Sequence, residues 1–594
     1  MFKSKKSLLS VAIVAATLGL TACGGSSSDS TPVPVVPVTP APVVPVTPAN
    51  SAPTDITLSA NNVEENDLGE NGAGAIVGTL SVTDADESDT VTYTVSDARF
   101  EIDGTSLKLK AGNTLDFEQD ASVNLTITAV DSGNESFDKP LTIEVGDLLD
   151  YYGFISKAQT DVSSVAYSGQ IARQILINDL SKFIGAELSK TSDFETNKSF
   201  TNREEVMSVL NSYFDIDDDN YDVASERPIL TTTSPGSKQT TLAALSRSTK
   251  NLVDKIAGND AKGQHKDWNN DFAGWGETGS TTPEELIRTL FGLIADNAET
   301  QMQGTVRQDP FNKDITNISL TSDGVDLKQL VQKFLLMSVA FSQGVDDYLD
   351  DDTANKGLQS DHINFGTEAY TPLEHQFDEA FGYFGAARDY LNYTDEEVAA
   401  KGGRPDYQLY HDTDKDGAID FNSEYNFSQS TNAAKRDRGA EVPTDFSKTA
   451  MTAFLEGRKL LNDTAGIGLT DAERAKLYGH RDTIVQTWEK AIAATVIHYI
   501  NDVRNDLAEI GTADFDYANT AKHWSEMKGF ALGLQFNKAS PLADEEFITV
   551  HGIMGKKPVL IGETEVAAYR ADLLTARNLL QAAYEFNAEN AANW

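Results

Sequence analysis

Near residue 146 the hydrophobic pattern of this chain changes period, and that change divides it into two folds. Between residues 51 and 146 the segments 79–83, 90–95, 106–110, 123–130 and 141–145 alternate apolar with polar residues, separated by Asp, Gly and Asn turns. That is the pattern of a one-domain antiparallel β-sandwich. From residue 150 onward Ala, Leu, Glu and Lys recur at helical spacing. Helices are expected over 171–184, 283–301, 326–348, 371–391, 446–461, 471–476, 482–510, 520–534 and 565–591. Pro283, Glu284 and Glu285 mark one helix start, and Thr470 with Glu473 has the spacing of a capping box. Region 147–594 is therefore expected to be all-α, as one large bundle or two.

The first 50 residues belong to neither fold. Lys3, Lys5 and Lys6 precede an apolar run from Leu8 to Leu20, the layout of a secretory signal. Leu20-Thr21-Ala22-Cys23 resembles the bacterial lipobox, which implies lipidation at Cys23 and, with Gly24 next, an outer-membrane lipoprotein of a Gram-negative bacterium facing periplasm or cell surface. Residues 24–50 read as a tether, flexible at first and then proline-rich and extended. Cys23 is the one cysteine, so disulfides, thiolate metal sites and cysteine nucleophiles are excluded from the folded body. With 48 Lys+Arg against 91 Asp+Glu the chain carries −43, which argues against a nucleic-acid partner.

Three motifs carry candidate chemistry. Asp412-Thr413-Asp414-Lys415-Asp416-Gly417-Ala418-Ile419-Asp420 reproduces the start of an EF-hand loop. Asp412, Asp414, Asp416 and Asp420 would supply oxygens, Gly417 the turn and Ile419 the apolar anchor. Position 12 is Ser423, with Glu424 one residue late, so a structural calcium loop is expected rather than a sensor. A looser version runs over 215–222, where an acidic loop is the expectation. The third motif is a pair of helices, each with a His, a Glu one turn later, and a Gly three residues after the Glu: His375, Glu379 and Gly382, then His523, Glu526 and Gly529. Such spacing puts His and Glu on one helix face. If the two faces met, the four ligands would suit iron or zinc. Each glycine also implies close helix packing. His498, in an apolar run, reads as a core histidine, the alternative being a fifth ligand or a group that orients one.

Two resemblances add to this. Ala52-Pro53-Thr54-Asp55-Ile56, Val63-Glu64-Glu65-Asn66, Val77-Gly78-Thr79-Leu80, Asp84-Ala85-Asp86, Leu115-Asp116-Phe117-Glu118 and Ala129-Val130-Asp131-Ser132-Gly133 stand in the order of a bacterial cadherin-like repeat, and residues 51–146 resemble that family. The resemblance implies calcium binding by Glu65, Asp84, Asp86, Glu118 and Asp131 between successive repeats. No second repeat follows, since Gly146-Asp147-Leu148-Leu149-Asp150 leads into the helical pattern. The helical region resembles the imelysin-like envelope proteins, whose marker is Gly-x-His-x-x-Glu. His523 and Glu526 keep its spacing, His375 and Glu379 are one residue wider with Asp378 in the equivalent place, and Leu373 and Ala521 stand where the marker has Gly. That resemblance implies a two-bundle fold and a part in iron or other metal acquisition.

The expectation is thus a lipid-anchored envelope protein binding a metal ion or complex through His375, Glu379, His523 and Glu526, working with an envelope uptake receptor. One alternative is an adhesion or scaffold protein stabilised by calcium. The other is a metal-dependent envelope hydrolase, although no motif demands catalysis.

Overall fold

The computed structural model describes residues 49–86, 88–188, 200–216, 224–246, 250–260 and 263–594. The signal, Cys23 and most of the tether lie outside these residues, as do Asp217, Asp218, Asp219 and Asp222 of the looser acidic loop.

The first region is a sandwich of two four-stranded sheets. β1 (Asp55–Leu58), β3 (Ile76–Thr83), β6 (Ser106–Leu109) and β5 (Phe100–Asp103) form one sheet in that order. β2 (Asn62–Glu64), β8 (Ser136–Gly146), β7 (Ser122–Val130) and β4 (Thr92–Val95) form the other. β2 runs parallel to β8; the other pairings are antiparallel. The period of two does the expected work on β7, where Val123, Leu125, Ile127 and Ala129 are buried and the residues between them are not. They meet Ile56, Val77, Leu80, Leu107 and Leu109 of the facing sheet in one apolar layer.

Among the described residues the second region holds 14 α-helices. They are α1 (Ser168–Lys182), α2 (Arg203–Phe214), α3 (Leu242–Leu245), α4 (Pro283–Met302), α5 (Leu327–Leu335), α6 (Pro372–Phe384), α7 (Asp395–Val398), α8 (Ser428–Arg438), α9 (Phe446–Thr464), α10 (Asp471–Ala508), α11 (Tyr517–Ala531), α12 (Asp544–Met554), α13 (Glu563–Ala583) and α14 (Ala588–Asn593). A two-residue hairpin, Arg307–Gln308 with Asp314–Ile315, is a small departure from all-α. The capping boxes of Thr282 with Glu285 and Thr470 with Glu473 are formed. One apolar core runs continuously from Tyr152 to Trp594, so the helices share a single interior.

Both helical glycines sit at close crossings. A Cβ on Gly382 would lie 2.8 Å from Gln170 Cβ and 2.9 Å from Tyr167 Cβ, and one on Gly529 would lie 2.6 Å from Lys333 Cβ. Arg458 of α9 is fully buried and fixes α6 from the other side. Its guanidinium donates to Asp378 Oδ1 at 2.7 Å, Glu374 Oε1 at 2.8 Å and the Ser164 carbonyl at 3.0 Å. This network orients the segment by which the chain enters the helical region: Tyr152 hydroxyl donates to the same Asp378 at 2.9 Å, and Tyr152 N–H to the Arg388 carbonyl at 2.8 Å.

Candidate cation site at the junction of the two regions

Strand β8 runs between two acidic ends of the sandwich. At the end facing the helices, Glu65, Asp116 and Glu118 each offer an oxygen within 4.8 Å of the others. Glu65 is buried, and its carboxylate ties three segments together. Oε2 accepts from Phe117 N–H at 2.8 Å and Oε1 from Leu148 N–H at 2.6 Å, at the exit from the sandwich. Two residues later Asp150 is also nine-tenths buried. Asn66 donates to its Oδ2 at 2.6 Å, while Oδ1 has no partner among the described residues. Asn66 reaches on to Asn392 at 3.3 Å, joining sandwich to helical region.

At this end Glu65, Glu118 and Asp150 repel one another, while Arg99, Arg404 and Lys415 line a neighbouring cavity on the side of Asp116. Desolvation, and then Glu65 beside it, pushes Asp150 up to about 7. Glu118 keeps contact with solvent, yet desolvation and Glu65 push it up to about 8. Glu118, Asp116 and Asp120 also face a cavity of about 540 Å³ whose far wall is Tyr151, Asp389, Tyr407, His411 and Asp414 of the helical region. Asp389 is buried, with its carboxyl raised by desolvation. Its Oδ2 accepts from His411 Nδ1 at 3.0 Å, and its Oδ1 has no partner among the described residues. His411 stacks on Tyr407 with 3.8 Å between centroids. Hard oxygen donors, one of them a buried orphan, fit calcium better than a soft or imidazole-seeking metal.

At the opposite end Asp84, Asp89 and Asp131 form a second group of the same tightness, with Asp84 Oδ2 and Asp89 Oδ2 buried and unpartnered among the described residues. Asp131 accepts from Asn50 at 2.9 Å. Asp86 instead accepts from Ser51 N–H at 2.7 Å and is not in the group. Of the acids inferred from the cadherin-like resemblance, the structure therefore brings Glu65 to Glu118 and Asp84 to Asp131. It adds Asp116, Asp150 and Asp89.

The EF-hand-like loop folds as its first half implies. Asp412, Asp414 and Asp416 converge within 4.8 Å and Ile419 is buried. The second half departs from the motif. Asp420 accepts from Gln239 Nε2 and Asn422 N–H, both at 2.8 Å, away from the group. Glu424 closes the loop on itself by accepting from Thr413 N–H at 2.8 Å and Asp420 N–H at 2.7 Å. Lys238 Nζ lies 2.7 Å from Asp414 and 3.1 Å from Asp416, so one ammonium already pairs with two of the three acids. A fourth group, Asp350, Asp351 and Asp352, carries Arg481 and Lys538 in the same way.

The four-ligand site on the paired helices does not form. α6 packs on α1 and α9, whereas α11 packs on α5 and α10. Among the described residues neither pair joins a cluster of three ligand atoms. His375 Nδ1 donates to the Ala166 carbonyl at 2.9 Å, and Glu379 lies 3.9 Å from Nε2 while accepting from Gln170 at 2.7 Å and Gln376 at 3.1 Å. His523 turns to α10, where Nδ1 meets Asp506 at 2.8 Å, and Glu526 faces Lys333 at 3.4 Å. The shared spacing encodes helix packing at Gly382 and Gly529 rather than a common centre. His498 is not a core residue: it is partly exposed, 3.3 Å from Asp502.

Residues 152–555 match a family described as a domain of unknown function (DUF4856). The chain belongs to that family. The match takes in the paired helices and the far wall of the junction cavity apart from Tyr151, and it leaves the sandwich outside. No curated protein matches the chain. Among the described residues no helix is long and apolar enough to cross a membrane.

Proposed function

We propose that this is a calcium-stabilised scaffold or adhesion protein of the bacterial envelope, held to the outer membrane through Cys23, in which calcium sets the junction between sandwich and helical domain. The observation that carries this reading is the convergence of Glu65, Asp116 and Glu118 within 4.8 Å beside the unpartnered Oδ1 of buried Asp150. In a cadherin-like repeat the next repeat would complete such a half-site. Here the linker acid Asp150 and the DUF4856 domain stand in that place. A bound dication would relieve the repulsion that raises Glu118 and Asp150, and would fix the two regions relative to one another. The group at Asp84, Asp89 and Asp131 is a second half-site, open to whatever precedes the sandwich. The loop at Asp412, Asp414 and Asp416 is the weakest of the three, because Lys238 competes for it.

The test is a calcium titration of the full chain by isothermal calorimetry, with Glu118→Gln and Asp412→Asn variants. Loss of one tight site in Glu118→Gln, with Asp412→Asn unchanged, supports the reading. Calcium binding that is the same in Glu118→Gln and in wild type, with no site lost, sinks it.

A second reading keeps a transition metal and moves it. Asp502 lies 3.3 Å from His498 Nε2 and 3.9 Å from His523 Nε2, and Asp506 orients the other nitrogen of His523, as outer carboxylates do for metal-bound imidazoles. Iron or zinc uptake would then run through His498, Asp502 and His523 instead of the two His/Glu pairs; the ligand atoms of these three do not all lie within 4.8 Å of one another, so a metal would have to draw the two imidazoles together. Metal content of His523→Ala against wild type decides it. The hydrolase alternative has no observation in its favour.

A further inference from the structure

α12 opens with Asp544, Glu545 and Glu546, but a small cavity beside its C-terminal end is lined by a cation and no acid. The loop Phe272-Ala273-Gly274-Trp275-Gly276-Glu277-Thr278-Gly279 folds over α12, with positive φ at Gly274, Gly276 and Gly279. Between loop and helix lies this cavity of about 250 Å³, whose walls include Gly274, Gly276, Thr278, His551, Gly555 and Lys556, and no carboxylate. Behind His551 sits Lys528 of α11, with no solvent exposure, its Nζ 2.9 Å from His551 Nδ1. That imidazole is the hydrogen-bond partner of the Lys528 ammonium among the described residues, and Lys556 adds a second positive charge nearby. The Trp275 ring covers the ammonium from the loop side, 5.8 Å away. The one acid on the same helix, Glu526, faces Lys333 instead.

A buried amine with no acid partner either gives up its proton or recruits an anion. Burial, and then Lys556, pull Lys528 down to about 7, and the same burial keeps the His551 ring uncharged. The glycines are the second element. They let the backbone turn at positive φ, and none of the amides from Gly274 to Thr278 donates to another described residue. The His551 ring lies near the carbonyls of Gly274 and Ala531, yet its Nε2 has no well-formed hydrogen bond. One wall is the C-terminal turn of α12, whose carbonyls would repel an anion. Two of them are already occupied, His551 by Gly555 N–H and Met554 by Tyr569 and Trp524.

The geometry points to a binding site for a small oxyanion, phosphate or carboxylate, held by Lys556 and the amides of the glycine loop with Lys528 as the buried counter-charge behind His551. The site is independent of calcium at the junction, so either can fail without the other. Because Lys528 must be protonated to hold the anion, binding takes up a proton above neutral pH.

The experiment is calorimetric titration of the full chain with acetate, whose charge is constant over the range, and with inorganic phosphate, at pH 6 and pH 8.5. Acetate binding about tenfold weaker at the higher pH supports the site, as does at least tenfold weakening in both Lys556→Gln and Lys528→Met with Lys556→Arg retained. Lys556 is exposed, so its variants keep the test valid if Lys528→Met fails to fold. Preference for phosphate or for acetate names the class of ligand. No binding of either anion, or binding unchanged in Lys556→Gln, overturns the proposal.

Discussion

The junction cavity and the cavity behind the glycine loop treat charge in opposite ways. At the junction Glu65, Asp116, Glu118 and Asp150 are gathered with no ion-pair partner among the described residues; at the loop Lys528, Lys556 and His551 line or back a cavity with no acid in its walls. Between these extremes lies Arg458, fully buried and paired with both Glu374 and Asp378. The contrast separates charge that builds the fold from charge that waits for a ligand. A buried ion whose partners are supplied by the chain is architecture, and one left with unpartnered oxygens or protons is a site.

The largest effect is expected where the charge is architectural. Arg458→Met leaves two buried carboxylates uncompensated and should cost about 3–5 kcal/mol in urea unfolding; a cost below about 1 kcal/mol would erase the distinction between paired and waiting charge. Calcium comes next. At a hundredfold excess over its dissociation constant, filling the junction site should stabilise the wild type by about 2.7 kcal/mol, read as a rise in the thermal midpoint, and Glu118→Gln should lose that share of the rise.

The pH dependence is smaller and its sign is fixed by the raised carboxyls. Asp150 and Glu118 hold their protons in the folded state up to about 7 and about 8, against 3.8 and 4.5 when free. The unfolded chain loses those protons first, so their contribution is fully present below about 4 and is lost as pH rises toward 8. In chelator the midpoint should therefore fall across that window. Calcium, which binds the ionised form, should flatten the fall and bind more tightly as pH rises. A chelated protein that gains stability over the window would contradict the crowding at the junction. The smallest effect is Lys528→Met, which removes an amine without a counter-charge and should be neutral or raise stability by about 1 kcal/mol.

Periodicity made the two folds legible, and local chemistry made several of their details legible. The capping boxes at Thr282 and Thr470 depend on residues three apart, and the packing role of Gly382 and Gly529 on one residue each. Where the reading failed, the deciding partner was distant or the cost was outweighed. Helices expected at 471–476 and 482–510 are one, Asp471–Ala508, because Gly479 between them faces open space and costs only about 1 kcal/mol against a long helix. The expected helix 326–348 breaks into wider π turns at Leu336–Phe341 and Gly344–Tyr348. α8 was missed since its sequence, SQSTNAAKRDR, shows no apolar face. It is buried through polar contacts instead, such as Gln429 Nε2 donating to the Leu336 carbonyl at 3.1 Å.

The candidate site divides in the same way. Glu65 and Glu118 were visible in motifs, and Asp116 stood inside one of them. Asp150, Asp389 and His411 carry no motif, since only the folded junction brings Asp389 and His411 to the cavity and Asp150 beside Glu65. The His/Glu pairs misled because a spacing along one helix says which face residues share and nothing of what that face meets.

The most direct test is hydrogen exchange of the full chain with calcium and with chelator, read peptide by peptide. The account predicts that calcium slows exchange at Glu65–Asn66, at residues 115–119 and across 146–152, and leaves the middle of Asp471–Ala508 unchanged. Exchange at those junction segments that is the same in calcium and in chelator would contradict it.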